Sequence, residues 1–181
     1  AGRKASTWWP SAPENGSVPA ADGGWQTVAP SAVAFEGFAE PEALDTAGID
    51  AVIAAFRSGA RRALDAGFDV LELHGAHGSL LPQFLSPLSN TRDDEYGGSL
   101  ENRARLLLRI VDEVRAEAGD DVPLLVRISA TDHADGGFTP DEAATVSGWA
   151  LDHGADLIDV SSGGLVAHQR LGAEHGMAQA Q

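Results

Sequence analysis

The sequence predicts an α/β fold in which parallel strands are covered by helices. Segments with helical spacing of apolar residues alternate three times with short runs that are almost continuously apolar, as in buried parallel strands. Those runs are 70–74, 124–128 and 157–160, and each gives way to polar residues. A closed barrel and an open sheet both fit this pattern. In either architecture the functional face lies at the C-terminal ends of the strands.

The composition is that of a globular protein. The chain has 181 residues, of which 43% are hydrophobic and 22% charged, with a formal net charge of -15 and no cysteine. The negative charge argues against nucleic acid and anionic membrane surfaces as partners, because both favour Lys and Arg. No apolar run approaches the ~18 residues of a spanning helix. Without cysteine the chain has no disulfide or thiolate site, and we expect a cytoplasmic location.

Residues 5–47 interrupt the regular pattern before it begins. They are rich in Pro, Gly, Ser and Ala, and they hold Trp8, Trp9 and Trp25. No sustained strand or helix period runs through them, which predicts a long irregular excursion anchored by its aromatic side chains. Loops of this length inside compact domains are usually functional or disordered.

The first helix–strand unit follows the excursion. Apolar residues recur at helical spacing from Ile49 to Leu64, and Gly67 ends the predicted helix. The apolar run 70–74 then forms the first predicted strand. A polar stretch that contains proline, 78–98, separates it from the next helix.

The second and third units have clear start signals. Ser99 can cap a helix that ends near Gly119, before the strand at 124–128. The sequence Thr-Pro-Asp-Glu at 139–142 combines a capping threonine, a proline in the first turn and a glutamate that completes a capping box. That helix ends at Gly154 and leads to the third strand. Because a closed barrel needs eight strands, we expect this chain to be the middle of a larger domain.

The motif His-Gly-Ala-His at 74–77 lies where the first strand ends. Two imidazoles there are poorly placed for packing and well placed to hold a polar ligand. Three interpretations stay open: hydrogen-bonded core histidines, a zinc pair that lacks an evident third ligand, or a paired clamp for a substrate oxygen. We favour the clamp, because preorganised donors stabilise negative charge that develops on such an oxygen.

Charged residues accompany this motif on the strands. Strand alternation puts Glu72 on the same side as His74, and Asp159 on the same side as Ser161. If Arg127 faces the same interior, Glu72, Arg127 and Asp159 form a buried charged cluster below His74. Alternatively, Glu72 and Arg127 only neutralise each other. The planar guanidinium fork of arginine suits an anionic or carbonyl-rich ligand.

Three long segments resemble one known family. The segments are 66–78, 83–90 and 92–103, and shorter matches extend them at 1–4, 125–129 and 159–164. There the chain is similar to the old yellow enzyme family of FMN-dependent NAD(P)H:flavin oxidoreductases, and most similar to its bacterial, thermophilic-like ene-reductase branch, which uses a histidine pair. The resemblance spans essentially the whole chain and is loosest over 5–45.

The resemblance implies a (β/α)8 TIM barrel, of which this chain supplies about strands four to six with their helices. Residues 1–181 would then be the central part of one FMN-binding domain, with an excursion at 5–47 and three αβ units at 48–181. The family's main FMN phosphate site, after strands seven and eight, would lie outside the chain. The expected cofactors are FMN and NAD(P)H as reductant.

The resemblance also implies roles for single residues. In the family, hydride passes from reduced flavin to an activated C=C bond or a related acceptor. His74 and His77 match the catalytic pair that binds the substrate oxygen, within a substrate-binding tetrapeptide that includes Gly75 and Ala76. Arg127 matches the residue beside the flavin N1 and C2 carbonyl. We expect a small-molecule substrate, no metal, and a homo-oligomer for the full-length protein.

One position departs from the family. Where relatives commonly have Tyr, two residues after the second histidine, this chain has Ser79, a much weaker acid. We interpret Tyr96 as structural, and segment 92–103 as a structural hub in which Glu101 and Arg105 face each other four residues apart. Two other functions stay open: a non-catalytic barrel fragment, and a metal-dependent hydrolase that uses the histidine pair.

Overall fold

The computed structural model describes residues 2–170. Within that range it contains five strands and four α-helices, with short 3-10 turns at Gly2–Lys4 and Ala20–Asp22. None of these helices is both long and apolar enough to cross a membrane. In chain order the elements are β1 (Val28–Ala29), β2 (Glu42–Ala43), α1 (Thr46–Asp65), β3 (Leu71–Gly75), α2 (Leu80–Leu85), α3 (Leu100–Ala118), β4 (Leu124–Ser129), α4 (Pro140–Asp152) and β5 (Leu157–Ser161).

The three predicted strands form one parallel sheet in the order β3-β4-β5. Leu71 pairs with Leu124, and Leu125 pairs with Leu157, so the strands start almost level. The predicted α/β fold with parallel strands is therefore confirmed. Because strands that start level also end level, the residues after each strand meet at one edge of the sheet.

Only one face of the sheet carries the core. In β3, Leu71 and Leu73 are buried against the helices, whereas Glu72 and His74 point to the other face and are exposed. The buried face packs against α1 and α3, whose apolar sides supply much of the core cluster. Among residues 2–170, nothing covers the opposite face to the same degree. The helix cover that the sequence predicts is therefore present on one side.

The predicted helix starts are confirmed. The Ser99 hydroxyl accepts a hydrogen bond from the amide of Asn102 at the start of α3. At the start of α4, Thr139 and Glu142 form the complete capping box, in which each side chain accepts a bond from the other residue's amide. These caps satisfy amides that the first helical turn would otherwise leave without partners.

The prediction that tryptophans anchor the excursion is wrong for Trp9 and Trp25, whereas Trp8 is half-buried. Trp9 and Trp25 are 61% and 63% exposed. Polar contacts to main-chain oxygens hold the segment instead. The guanidinium of Arg3 donates to Val33 O at 3.1 Å, and that of Arg92 donates to Pro30 O at 2.8 Å. Buried arginines of this kind satisfy loop carbonyls that have no strand or helix partner.

Segment 92–103 is a structural hub, as predicted, but through different contacts. Buried Arg103 donates to Gly98 O and pairs with Glu142 of α4 at 2.7 Å. Glu101 and Arg105 share a face of α3 but form no ion pair within residues 2–170, because the guanidinium of Arg105 donates to Glu95 O and to the side chain of Asn102. Arg103 of α3 therefore holds the preceding loop through a main-chain oxygen and α4 through an ion pair.

Candidate active site

The row that crosses the C-terminal part of the sheet brings the predicted site residues together. His74 of β3 pairs in register with Arg127 of β4, which pairs with Asp159 of β5. All three side chains point to the face that the helices leave open. His77 follows β3, and its ring centre lies 5.3 Å from that of His74, with a tilt of 50° between the planes. The two imidazoles and the guanidinium thus share one end of the sheet.

Arg127 forms an ion pair with Asp159. The Nε of Arg127 lies 3.2 Å from Oδ2 of Asp159, with the side chains 37% and 40% exposed. The predicted buried cluster with Glu72 is wrong, since Glu72 is exposed and the pair is only half-buried. Nor do Glu72 and Arg127 neutralise each other as a pair, because the carboxylate within ion-pair distance of Arg127 is that of Asp159.

The guanidinium of Arg127 forms no hydrogen bond within residues 2–170, and its buried Nε has no hydrogen-bond partner there. An arginine fork with unused donors beside an open face suits a ligand that presents carbonyl or anionic atoms. The flavin ring of FMN presents such atoms, so this residue fits the cofactor that the resemblance implies.

His77 is held by groups from three other parts of the chain. Its main-chain amide donates to the Ser129 hydroxyl at 2.9 Å, and its carbonyl accepts from Nζ of Lys4 at 2.9 Å. Its ring Nε2 lies 2.7 Å from the Ser161 hydroxyl. His77 has a φ of 58°, in the left-handed region that non-glycine residues seldom adopt. The surrounding bonds therefore fix a conformation that is unfavourable by itself.

A close approach of two loops explains the glycine after His77. Gly78 has a φ of 65°, and a β-carbon there would lie 2.3 Å from Gly164 O. Lys4 joins the same crossing, because its ammonium also donates to Gly164 O. The loop after β3 and the loop after β5 are thus locked together beside the histidines.

Gly75 and Ala76 lie between the histidines but are buried. A β-carbon on Gly75 would lie 2.8 Å from Arg127 O, so this position needs glycine to pair with β4. The side chain of Ala76 is fully buried. Their assignment to substrate binding stays a prediction, and any such contact would come from the main chain.

The pKa of each histidine lies below that of an ordinary imidazole, which favours the neutral ring. Although His74 is exposed as a whole, partial desolvation lowers the pKa of its ring, and the positive charge of Arg127 lowers it further. Burial also lowers the pKa of His77, with added effects from His74, Arg127 and Lys4. A neutral imidazole has one N–H donor and one acceptor nitrogen. The pair can therefore offer two directed donors without placing two positive charges side by side.

Neighbouring hydroxyls have other tasks. Ser79 donates to His74 O at 3.3 Å. Tyr96 is buried, packs edge-on against Phe84, and bonds to Arg109 through its hydroxyl, which confirms its structural role. Residues 2–170 bring no group of three or more His, Cys, Asp and Glu side chains together. The zinc interpretation therefore gains no support from the geometry.

Sequence reasoning missed the residues that hold His77. Ser129 and Ser161 are the last residues of β4 and β5, and they pair with each other in register. The signal available in the sequence was that each of two neighbouring parallel strands ends in a serine. The contact from Lys4, which lies 73 positions away along the chain, has no signal in a single sequence.

Parallel strands with a cluster of donors at their C-terminal ends define an α/β protein with a ligand site at that end. Comparison with known proteins specifies it. Residues 12–179 match the profile of the NADH:flavin oxidoreductase / NADH oxidase family, and the chain belongs to that family. An NADPH dehydrogenase of Halalkalibacterium halodurans is 49% identical over 139 residues, which are 77% of this chain and 40% of the relative. An NADH:flavin oxidoreductase of Gibberella zeae is 45% identical over 179 residues, with 91% and 43% covered.

Solved structures agree. 2-Naphthoyl-CoA reductase in complex with 2-naphthoyl-CoA has a TM-score of 0.74 at 33% identity, over 76% of this chain and 21% of that chain. The old yellow enzyme homologue from Zymomonas mobilis has a TM-score of 0.67 at 30% identity, over 75% and 42%. The resemblance to old yellow enzymes is thus confirmed, as is the use of flavin and NAD(P)H by the family. The chain spans about two fifths of the length of the curated relatives described above.

Proposed function

We propose that this chain is the central part of an FMN-dependent NAD(P)H oxidoreductase of the ene-reductase type. Its acceptor is a small molecule with an activated C=C bond or a related group. The observation that carries the proposal is the register of His74 and Arg127 on adjacent strands, with the ring of His77 5.3 Å from that of His74. Imidazole donors and a cation with unused donors thus face one open side.

The chain's own residues have distinct tasks in this reaction. When bound, FMN supplies the hydride that it takes from NAD(P)H. Arg127 would hold the flavin ring by donating to its carbonyl-rich edge. His74 and His77 donate to the acceptor's carbonyl or nitro oxygen, and so stabilise the negative charge that builds there. Because Ser79 donates to a main-chain carbonyl, the proton that completes the reduction comes from water.

We also propose that residues 1–181 are the central part of one (β/α)8 barrel domain, with β3, β4 and β5 as barrel strands four to six. Two features support this. The open face of the sheet carries the polar site residues, as the inner face of a barrel does near its C-terminal end. The outer edges of β3 and β5 pair with no other strand of residues 2–170, which leaves room for barrel neighbours. A homo-oligomer stays a prediction.

Cofactor binding tests the proposal directly. FMN is titrated into the 181-residue chain, and binding is followed by the change in flavin fluorescence. We expect saturable binding of about one FMN per chain through the flavin ring, with the affinity reduced because the phosphate site that the resemblance implies lies outside residues 1–181. Arg127→Ala removes the cation beside the flavin ring and should weaken binding by at least about tenfold, since hydrogen bonds to charged groups contribute about 1.5–3 kcal/mol.

Arg61→Ala is the matched control. Arg61 is an exposed arginine of α1 that pairs with Glu117, away from the open face. Its substitution should leave FMN affinity unchanged. If the wild-type chain binds no FMN, or if both substitutions weaken binding equally, the cofactor site is contradicted. Absence of FMN binding by the wild-type chain would favour the alternative that the chain is a non-catalytic barrel fragment.

The acceptor half of the reaction gives a second prediction. The FMN complex is reduced with NADPH under anaerobic conditions, and its reoxidation by cyclohexenone is followed by absorbance. His74→Ala and His77→Ala should each slow reoxidation by about 100- to 1,000-fold, the usual cost of removing one donor to a developing oxyanion. His153→Ala, which removes a histidine paired with Asp112 at the end of α4, is the control. Unchanged rates in the first two variants would contradict the clamp.

A further inference from the structure

We propose that Ser161 is a positioning residue that donates its hydroxyl hydrogen to Nε2 of His77 and thereby leaves the Nδ1–H of that ring for the acceptor oxygen. This inference rests on the proposed function and adds to it which ring nitrogen of His77 binds the acceptor oxygen. It also predicts which side of the imidazole the substrate meets.

The first step is geometric. Nε2 of His77 lies 2.7 Å from the Ser161 hydroxyl oxygen, a short hydrogen bond. Nδ1 of the same ring forms no hydrogen bond within residues 2–170. Ser129 and Lys4 fix the main chain of His77, and the bond to the Ser161 hydroxyl fixes which ring nitrogen faces β5. The nitrogen that can meet a ligand is therefore Nδ1.

The second step concerns the proton. A neutral imidazole carries hydrogen on one nitrogen only. If Nε2 held it, Nδ1 would present a lone pair and would repel an oxygen that gains negative charge. The clamp therefore requires hydrogen on Nδ1, and Nε2 must accept from a donor. Ser161 is a donor at the correct distance. The lowered pKa of His77, caused mainly by burial, agrees with a neutral ring.

The chain contains a natural comparison at the next position. Ser162 lies 3.0 Å from Nε2 of His133, which follows β4. Two consecutive serines thus contact two histidines in different loops, and only the first histidine lies beside His74. A substitution of Ser162 alters the same residue type, one position away, without touching the ring of His77.

Nuclear magnetic resonance of the 181-residue chain tests the proposal. With isotope-labelled histidine, long-range proton–nitrogen spectra at about pH 8, where histidine is neutral, report which ring nitrogen carries hydrogen. We expect His77 with hydrogen on Nδ1. Ser161→Ala should move its two nitrogen shifts towards those of the Nε2–H form. Ser161→Thr, which keeps a hydroxyl, should restore them, and Ser162→Ala should leave them unchanged.

Two results would overturn the inference: hydrogen mainly on Nε2 in the wild-type chain, or identical His77 shifts in the wild type and Ser161→Ala. The wild-type measurement needs no variant, so a misfolded substitution cannot hide the answer. The spectra also need neither FMN nor acceptor. Failure here with normal FMN binding and reoxidation would remove only the role of Ser161, whereas failure of those assays would remove the proposed function itself.

Discussion

At the scale of single residues, the sequence predicted which side chains meet at one end of the sheet and missed the contacts that support them. His74, His77 and Arg127 were predictable because imidazole and guanidinium groups at strand ends are poor packing residues. Their proximity follows from parallel pairing in register. The contact of Lys4 with His77 O was not predictable, because it depends on how a long irregular excursion returns to the sheet.

The sequence also could not predict which carboxylate forms the ion pair with Arg127. Glu72 and Asp159 lie on strands on either side of β4, and alternation puts both on the same face as Arg127. Register decides between them: Arg127 pairs directly with Asp159 across β4 and β5, and on the other side with His74. The carboxylate of Glu72 is two residues further from the site edge, where it stays exposed.

The histidine pair predicts how stability depends on pH. The ordinary imidazole pKa is 6.5, and burial lowers the pKa of His74 and His77 in the folded chain. Below pH 6.5 the unfolded chain therefore binds more protons than the folded chain, and the free energy of unfolding falls with the pH. This part of the stability is complete above the unfolded pKa and is lost as the pH drops towards the folded values.

Urea unfolding at about pH 7 and about pH 5.5 measures this effect, because that interval spans the ordinary histidine pKa. The double variant His74→Gln and His77→Gln should lose less stability over the interval than the wild type. The two chains share all other titratable groups, so the difference between their slopes reports the pair. Equal slopes would mean that the folded and unfolded imidazoles titrate alike.

At the scale of elements, the regular parts were predictable to within a few residues. Helical spacing and caps located α1, α3 and α4, and the apolar runs located the three strands of the sheet. These signals are local, since a cap or an apolar face depends on neighbours three or four positions away. The observed strands differ from the predicted ones by no more than one residue at either end, because the last hydrogen bonds of each strand depend on its partner strand.

Helix α2 shows where local signals stop. Its six residues are all buried, and they include Pro82 and Gln83. A short helix buried on all sides has no amphipathic pattern, so it was absorbed into the polar stretch that follows β3. Gln83 shows what replaces the pattern: its side chain donates to Gly78 O at 2.8 Å and accepts from the amide of Arg3. Tertiary hydrogen bonds position this helix.

In the excursion at 5–47, local composition predicted burial for the wrong residues. Aromatic residues suggested burial, yet Trp9 and Trp25 are mostly exposed, while Arg3 is buried. Composition alone cannot distinguish a tryptophan that anchors a loop from one that lies on it. Arginine is often read as a surface residue, but its five donors can satisfy several loop carbonyls at once. Here Arg3 is buried because its guanidinium donates to such carbonyls.

At the scale of the whole molecule, the sheet is asymmetric. One face and its helices form a continuous core, whereas both outer strands expose large apolar side chains, among them Val70 beside β3, and Leu157 and Val160 in β5. An apolar groove of about 510 Å³ also runs between α1 and β3. Exposed apolar surface of this kind, beside unpaired strand edges, is typical of surfaces that pack against further structure.

This asymmetry predicts a gradient of hydrogen-exchange protection in the 181-residue chain. Each amide of β4 faces a neighbouring strand, whereas alternate amides of β3 and β5 point away from the sheet. Amides of β4 should therefore exchange most slowly, through global unfolding, and the outward amides of β3 and β5 much faster, through local opening. Native-state exchange followed by nuclear magnetic resonance measures each amide separately. The inward amides of β3 and β5 are the internal control, since they differ from the outward amides only in having β4 as a partner. Uniformly slow exchange across all three strands would contradict the open edges, because another segment or a second copy would then have to cover them.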